Sequence, residues 1–155
     1  DELLHRYVLG LYHVMDVLTK RFPDVLFENC ASGGARMDAG MMYYFPQTWA
    51  SDNSDAVCRL KIQYGTSLCY PPVMTTSHIS ASPNHQMLRQ TPLDFRAAVS
   101  YPFNLGYELN LCKMSDEEIE KISEQTALYK RSDHWYREES STVCSVRLKE
   151  IRLRG

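Results

Sequence analysis

Twice in close succession this chain runs from a short apolar or aromatic stretch into a polar turn. Val25-Leu26-Phe27 leads into Glu28-Asn29-Cys30-Ala31-Ser32-Gly33-Gly34, and Pro46 leads into Gln47-Thr48-Trp49-Ala50-Ser51-Asp52-Asn53. A strand that ends in a glycine- or carboxylate-bearing turn, with helical segments on either side, is how parallel strands deliver functional groups at their C-terminal ends. The second turn offers one carboxylate, Asp52, placed for acid–base work.

The rest of the chain alternates in the same way. Leu4, Tyr7, Val8, Leu11, Val14, Met15 and Leu18 recur at helical spacing, which predicts an amphipathic helix over about residues 2–20, stopped near Phe22-Pro23. Val25-Leu26-Phe27 predicts a brief strand, and Pro46 to Asn53 a second strand and turn. Val57, Leu60 and Tyr64 mark a short helix with Gly65 as its expected C-terminal cap. Thr66-Ser67-Leu68-Cys69-Tyr70 reads as a third strand, broken by Pro71-Pro72, and a fourth is expected within Val99–Leu111. Thr91-Pro92 opens a helix, with the proline at the first helical position. Ser115-Asp116-Glu117-Glu118 is a capping box before Ile119, Ile122, Thr126 and Tyr129.

Strict alternation favours an α/β fold with a parallel sheet. About four strands are visible, whereas a closed eight-stranded barrel takes about 250 residues. The expected fold class is therefore the C-terminal half of a (β/α)8 TIM barrel. Residues 131–155 stand apart as a charged tail whose apolar residues follow no single period.

Composition narrows the partners. A formal net charge of −2 over 155 residues gives no basic patch for nucleic acid. No apolar run approaches a membrane span, and the first residues lack the charged-then-apolar order of a signal peptide. Cys30, Cys58, Cys69, Cys112 and Cys144 are odd in number, spread out and without a CxxC pair. Together these predict a reducing, cytoplasmic setting. His78 and His85 fit no zinc or HExxH spacing and read as loop-ordering residues, so no metal and no cofactor are expected.

Taken alone, the candidate residues have bland readings. Asp52 in Ser-Asp-Asn-Ser-Asp suits a turn or helix cap. Cys30 reads as a small buried hydrophobe. Gly33-Gly34 lacks the lysine of a phosphate loop and serves a tight turn or a close approach to a ligand. Met41-Met42-Tyr43-Tyr44-Phe45 reads as core packing.

Phe27 to Gly34 followed by Pro46 to Asn53 closely resembles the retaining α-galactosidases of glycoside hydrolase family 36. The likeness continues through Arg59-Leu60-Lys61-Ile62-Gln63-Tyr64-Gly65-Thr66-Ser67, Pro83-Asn84-His85-Gln86 and Asn104-Leu105-Gly106-Tyr107-Glu108-Leu109. It covers about residues 1–130 in order. The resemblance implies hydrolysis of terminal α-galactosides such as melibiose and raffinose, on a (β/α)8 barrel and without a metal. In retaining enzymes two carboxylates about 5–5.5 Å apart flank the glycosidic bond. By position, Asp52 matches the family's general acid/base, Cys30 and Gly33 match residues lining the galactose pocket, and Trp49 belongs to the motif that carries Asp52.

The family's nucleophile is an aspartate in a Lys-Trp-Asp segment, and no such segment occurs in these 155 residues. The expectation is a fragment that carries the acid/base without the nucleophile and is inactive alone. Glu28 is a competing carboxylate for a Glu28–Asp52 dyad, but it is expected instead as a buried support. The alternative is a non-catalytic product: a sugar-binding remnant, or a module that self-associates or pairs with the other half-barrel through open sheet edges. A related activity, α-N-acetylgalactosaminidase or galactosyl transferase, also fits the resemblance.

Overall fold

The computed structural model describes residues 1–132. Most of the charged tail, Cys144 included, lies outside the described residues. The chain divides into two compact units, the first being Asp1–Asp52 and the second beginning at Asn53.

In the first unit, helix α1 spans Glu2–Arg21, as its 3.6-residue apolar spacing predicts. None of its residues is buried, and the N-terminal end of the stripe, with Leu3, Leu4 and Tyr7, stands in the open. The half-buried positions Leu11, Tyr12, Met15, Leu18 and Thr19 recur at helical spacing along one side. Strand β1 is Glu28–Asn29, helix α2 is Ala39–Tyr44 and strand β2 is Gln47–Trp49. The two strands pair in parallel, Glu28 opposite Gln47 and Asn29 opposite Thr48.

The expected strand at Val25-Leu26-Phe27 is displaced: pairing begins three residues later, and Val25 and Leu26 are exposed. Phe27 stacks on Phe45, with ring centroids 5.2 Å apart, and so anchors the entry to β1. The aromatic–methionine cluster is core as expected for Met41, Met42 and Phe45, whereas Tyr43 is exposed.

α2 starts at Asp38, whose Oδ1 accepts from the amide of Met41 at 2.9 Å and from the Tyr12 hydroxyl at 2.6 Å. Burial would push the Asp38 carboxyl up. The Tyr12 hydroxyl and the Met41 and Gly40 amides outweigh it and hold the carboxyl below its ordinary value.

In the second unit, helix α3 spans Ala56–Ser67, capped by Asp55, which accepts from the Cys58 amide at 2.9 Å. Gly65 lies inside this helix and is not its cap; the cap is Leu68. The expected strand at 66–70 is also absent. Thr66 Oγ1 donates to the Ile62 carbonyl and Ser67 Oγ to that of Tyr64, so both side chains support helical backbone.

After a 3-10 turn at Pro72–Met74, strand β3 runs over Thr75–Ser80 and pairs in parallel with β4, Asn104–Glu108, inside the stretch expected for the fourth strand. Between them lies helix α4, Leu93–Ser100, with Pro92 as its N-cap, one residue from the expected position. Helix α5 comprises helical residues 116–132. Its capping box is reciprocal: the Glu118 amide donates to Ser115 Oγ at 3.3 Å and the Ser115 amide to Glu118 Oε2 at 3.0 Å.

The core of this unit is Ile79, Leu93 and Ala97, with Tyr101, Leu105, Tyr107, Leu109, Met114 and Ile122 packed around it. Ile79 and Ser77 point from β3 towards the helices: Ser77 Oγ donates to Gln63 Oε1 at 2.7 Å and lies 3.1 Å from Ser100 Oγ. His78 is on β3 rather than on a loop. Its imidazole lies against Gly106, its partner on β4, where a Cβ would come within 2.4 Å of Nε2.

Candidate active site

The two turns singled out in the sequence leave the same end of adjacent parallel strands, because β1 and β2 run in one direction and in register. Asn29 and Thr48 are buried, and Asn29 Nδ2 donates to Thr48 Oγ1 at 3.2 Å and to the Arg36 carbonyl at 2.8 Å. One buried amide thus ties strand to strand and the β1 turn back onto itself. Satisfying both donors offsets the cost of burying it.

Beyond Asn29 the backbone doubles back. The Ala31 amide donates to the Gly33 carbonyl at 3.2 Å and the Ala35 amide to the Ala31 carbonyl at 3.1 Å. Ser32 and Gly33 have left-handed φ values of 47° and 71°. Gly33 is buried against the second turn: a Cβ there would lie 2.5 Å from Ser51 Cα and 2.6 Å from the Asp52 amide nitrogen. At Gly34 a Cβ would come 2.6 Å from the Ala50 carbonyl oxygen. The glycine pair makes a tight turn, and its close approach in this chain is to the backbone that carries Asp52.

Asp52 is exposed, in the turn after β2, next to the Gly33 contact. Trp49 is the last residue of β2 and is half-buried. Cys30 follows β1 directly and is an exposed free thiol, not the buried hydrophobe of its context-free reading. The backbone contact thus brings Gly33 and Asp52 together. Glu28 is exposed, with Gln47 Nε2 3.5 Å from its Oε1, so it is not the expected buried support. Among the described residues no cluster of His, Cys, Asp and Glu could hold a metal ion. No described helix is long and apolar enough to cross a membrane.

The sequence reading missed Asn29 and the residues just past Asp52. Ser54 and Asp55 are buried. Asp55 Oδ2 also takes Arg89 Nη1 at 2.7 Å, and Arg59 Nε donates to the Asn53 carbonyl at 3.1 Å. Burial lowers the Arg59 guanidinium to about 10, opposed by the field of Glu108. Asx-turn chemistry in Asn53-Ser54-Asp55 was the available signal, since the Asp55 amide donates to Asn53 Oδ1 at 3.0 Å.

The Melibiase family model matches residues 1–138. Alpha-galactosidase Mel36A of Lactobacillus acidophilus is 57% identical over 130 residues, which is 84% of this chain and 18% of that protein. The crystal structure of the alpha-galactosidase from Lactobacillus brevis superposes with a TM-score of 0.85 at 51% identity, covering 88% of this chain and 18% of that one. A variant of the GH36 alpha-galactosidase AgaA from Geobacillus stearothermophilus, in complex with raffinose, superposes at 0.81 with 54% identity over 83% of this chain and 18% of that one. The chain thus spans about a fifth of the length of these relatives. Its four strands, alternating with helices and parallel in each pair, are part of a (β/α)8 barrel. With a matching family model over most of its length and relatives above half identity, this chain belongs to the melibiase family and is similar to its GH36 α-galactosidases.

Proposed function

We propose that this chain forms part of a retaining α-galactosidase acting on terminal α-galactosides such as melibiose and raffinose, with Asp52 as its general acid/base. The observation that carries the reading is the position of Asp52. It is an exposed carboxylate on the turn that leaves β2, whose backbone packs closely against Gly33 from the neighbouring strand end. Functional groups of such barrels stand at this end of the strands.

In the first step the Asp52 carboxyl gives its proton to the departing glycosidic oxygen as a second carboxylate attacks the anomeric carbon. In the second step the Asp52 carboxylate takes a proton from the water that releases galactose, and the nucleophile is regenerated. Cys30, Gly33 and Trp49 line the galactose pocket. The 155 residues contain no Lys-Trp-Asp segment, so the nucleophile comes from another part of the polypeptide and the chain is inactive alone.

The test incubates the chain with an aryl α-galactoside and with raffinose, alone and with a polypeptide supplying the rest of the barrel. Activity only on complementation is expected. In Asp52→Asn, raffinose turnover should fall about 10²–10⁴-fold. Activity of the isolated chain that disappears in Asp52→Asn would overturn the claim that the nucleophile lies elsewhere.

A further inference from the structure

Ser32 stands between Cys30 and Gly33 on the turn that leaves β1, inside the first unit. Its backbone is left-handed, with φ at 47°, and the residue is exposed. A left-handed backbone is unfavourable for any residue with a Cβ, whereas glycine takes it without that penalty. Ser32 recovers none of the cost by burial, and among the described residues its hydroxyl has no hydrogen-bond partner.

The turn itself does not need that hydroxyl. Gly33 continues left-handed at 71° and admits no side chain, since a Cβ would lie 2.5 Å from Ser51 Cα. The Ala31 amide donates to the Gly33 carbonyl at 3.2 Å, so main-chain bonding closes the turn around Ser32. A side chain that neither packs nor bonds, kept at a strained position, points to a partner outside the protein. Consecutive Cα atoms are 3.8 Å apart, and the Gly33 Cβ position is 2.6 Å from the Asp52 amide nitrogen. Ser32 Cα therefore lies within about 8 Å of that nitrogen, so one sugar residue can lie against the Ser32 hydroxyl and the Asp52 turn together.

We propose that Ser32 is a specificity-determining residue whose hydroxyl bonds one hydroxyl of the galactosyl group bound at the Asp52 turn. A serine hydroxyl both donates and accepts, as does each hydroxyl of the sugar. The contact is to the galactosyl group alone and is blind to what leaves. This inference deepens the α-galactoside reading and rests on it.

The test compares nitrophenyl α-galactoside with its monodeoxy forms, each lacking one galactosyl hydroxyl, in the complemented chain. Wild type, Ser32→Ala and Ser32→Gly are measured. Loss of one neutral hydrogen bond should lower kcat/KM on the parent galactoside by about 3- to 10-fold in both variants. With one of the deoxy substrates the variants and wild type should converge, because the partner hydroxyl is already gone. Ser32→Gly also relieves the left-handed backbone, so its urea midpoint should be no lower than that of Ser32→Ala while its kinetic loss matches.

An unchanged kcat/KM in Ser32→Ala, or a loss of equal size on every deoxy substrate, would overturn the proposal. So would full activity in Ser32→Gly beside a loss in Ser32→Ala, because the backbone alone would then explain the defect. If the complemented wild type cleaves no α-galactoside, the α-galactosidase reading falls. Galactose titrated calorimetrically into wild type and Ser32→Ala then still tests the contact. Weaker binding by Ser32→Ala is expected, and equal affinities, or binding to neither, would overturn it.

Discussion

The two sides of Asp52 are held by opposite means. Upstream, Ala50 and Ser51 are met by bare backbone, with Gly33 and Gly34 close enough that no side chain fits between. Downstream, Asn53, Ser54 and Asp55 are gripped by side chains, namely Arg59, Ser80, Asn84, Gln86 and Arg89. Contact of the first kind has no slack, because backbone against backbone cannot repack. Hydrogen bonds of the second kind are directional but individually modest, and a conservative replacement can restore them. The end of the first unit therefore meets a steric stop and the start of the second a replaceable grip, and substitutions in the two should behave differently.

The sharpest break of that comparison is Gly33→Ala. It places a Cβ 2.5 Å from backbone at a left-handed φ, so strain and overpacking add to about 2–4 kcal/mol. Urea denaturation followed by near-UV circular dichroism should show the midpoint drop, and an unchanged midpoint would mean that the two turns are not in contact.

On the other side, Arg89→Ala removes one of the two partners of a buried carboxylate oxygen. Arg89 is itself 38% exposed, so water already screens the pair and the expected loss is smaller, about 1–2 kcal/mol. Arg89→Lys should recover part of that loss, whereas Gly33 has no substitute that would do the same.

Within the first unit, Tyr12→Phe should cost about 1 kcal/mol and change the acid side of the stability curve. Asp38 is held below its ordinary value with the Tyr12 hydroxyl among the causes. Its contribution is fully present above the usual aspartate pKa of about 3.9 and is lost as pH falls through the lower folded value. Thermal melts between neutral pH and about pH 3 should show a shallower acid-side loss in Tyr12→Phe than in wild type.

The smallest effect has the opposite sign. Gly65 sits in α3 with open space around it, so Gly65→Ala should raise stability by about 0.5–1 kcal/mol. The same glycine-to-alanine change, measured at positions 33 and 65, separates steric need from helical preference.

Most of the fold was legible where its signal was local. The Ser115–Glu118 capping box and the 3.6-residue spacing of α1 each depend on residues within one or two turns, and both elements formed where expected. β3 was illegible for a physical reason. Thr75, Thr76, Ser77 and Ser80 are buried but polar, so no apolar alternation marks the strand. It is buried because partners distant in sequence engage its polar groups, as Gln63 and Ser100 do for Ser77. The apparent strand at 66–70 was misleading in the reverse direction, because Thr66 and Ser67 bond back to helical carbonyls.

The sequence by itself determined the alternation of strand and helix, the two polar turns, and through motif likeness the family. It also offered Asp52 as a candidate carboxylate, whose acid/base role is what the likeness implies. Tertiary structure decided what those turns press against. That Gly33 abuts the Asp52 amide, that Glu28 is exposed, and that Ser54 is seized from 26 to 32 residues away all depend on chain folding back over distances no local pattern encodes. Hydrogen-bonding and steric demands are short-ranged in space and blind to sequence separation, so they become visible only once the strands are side by side.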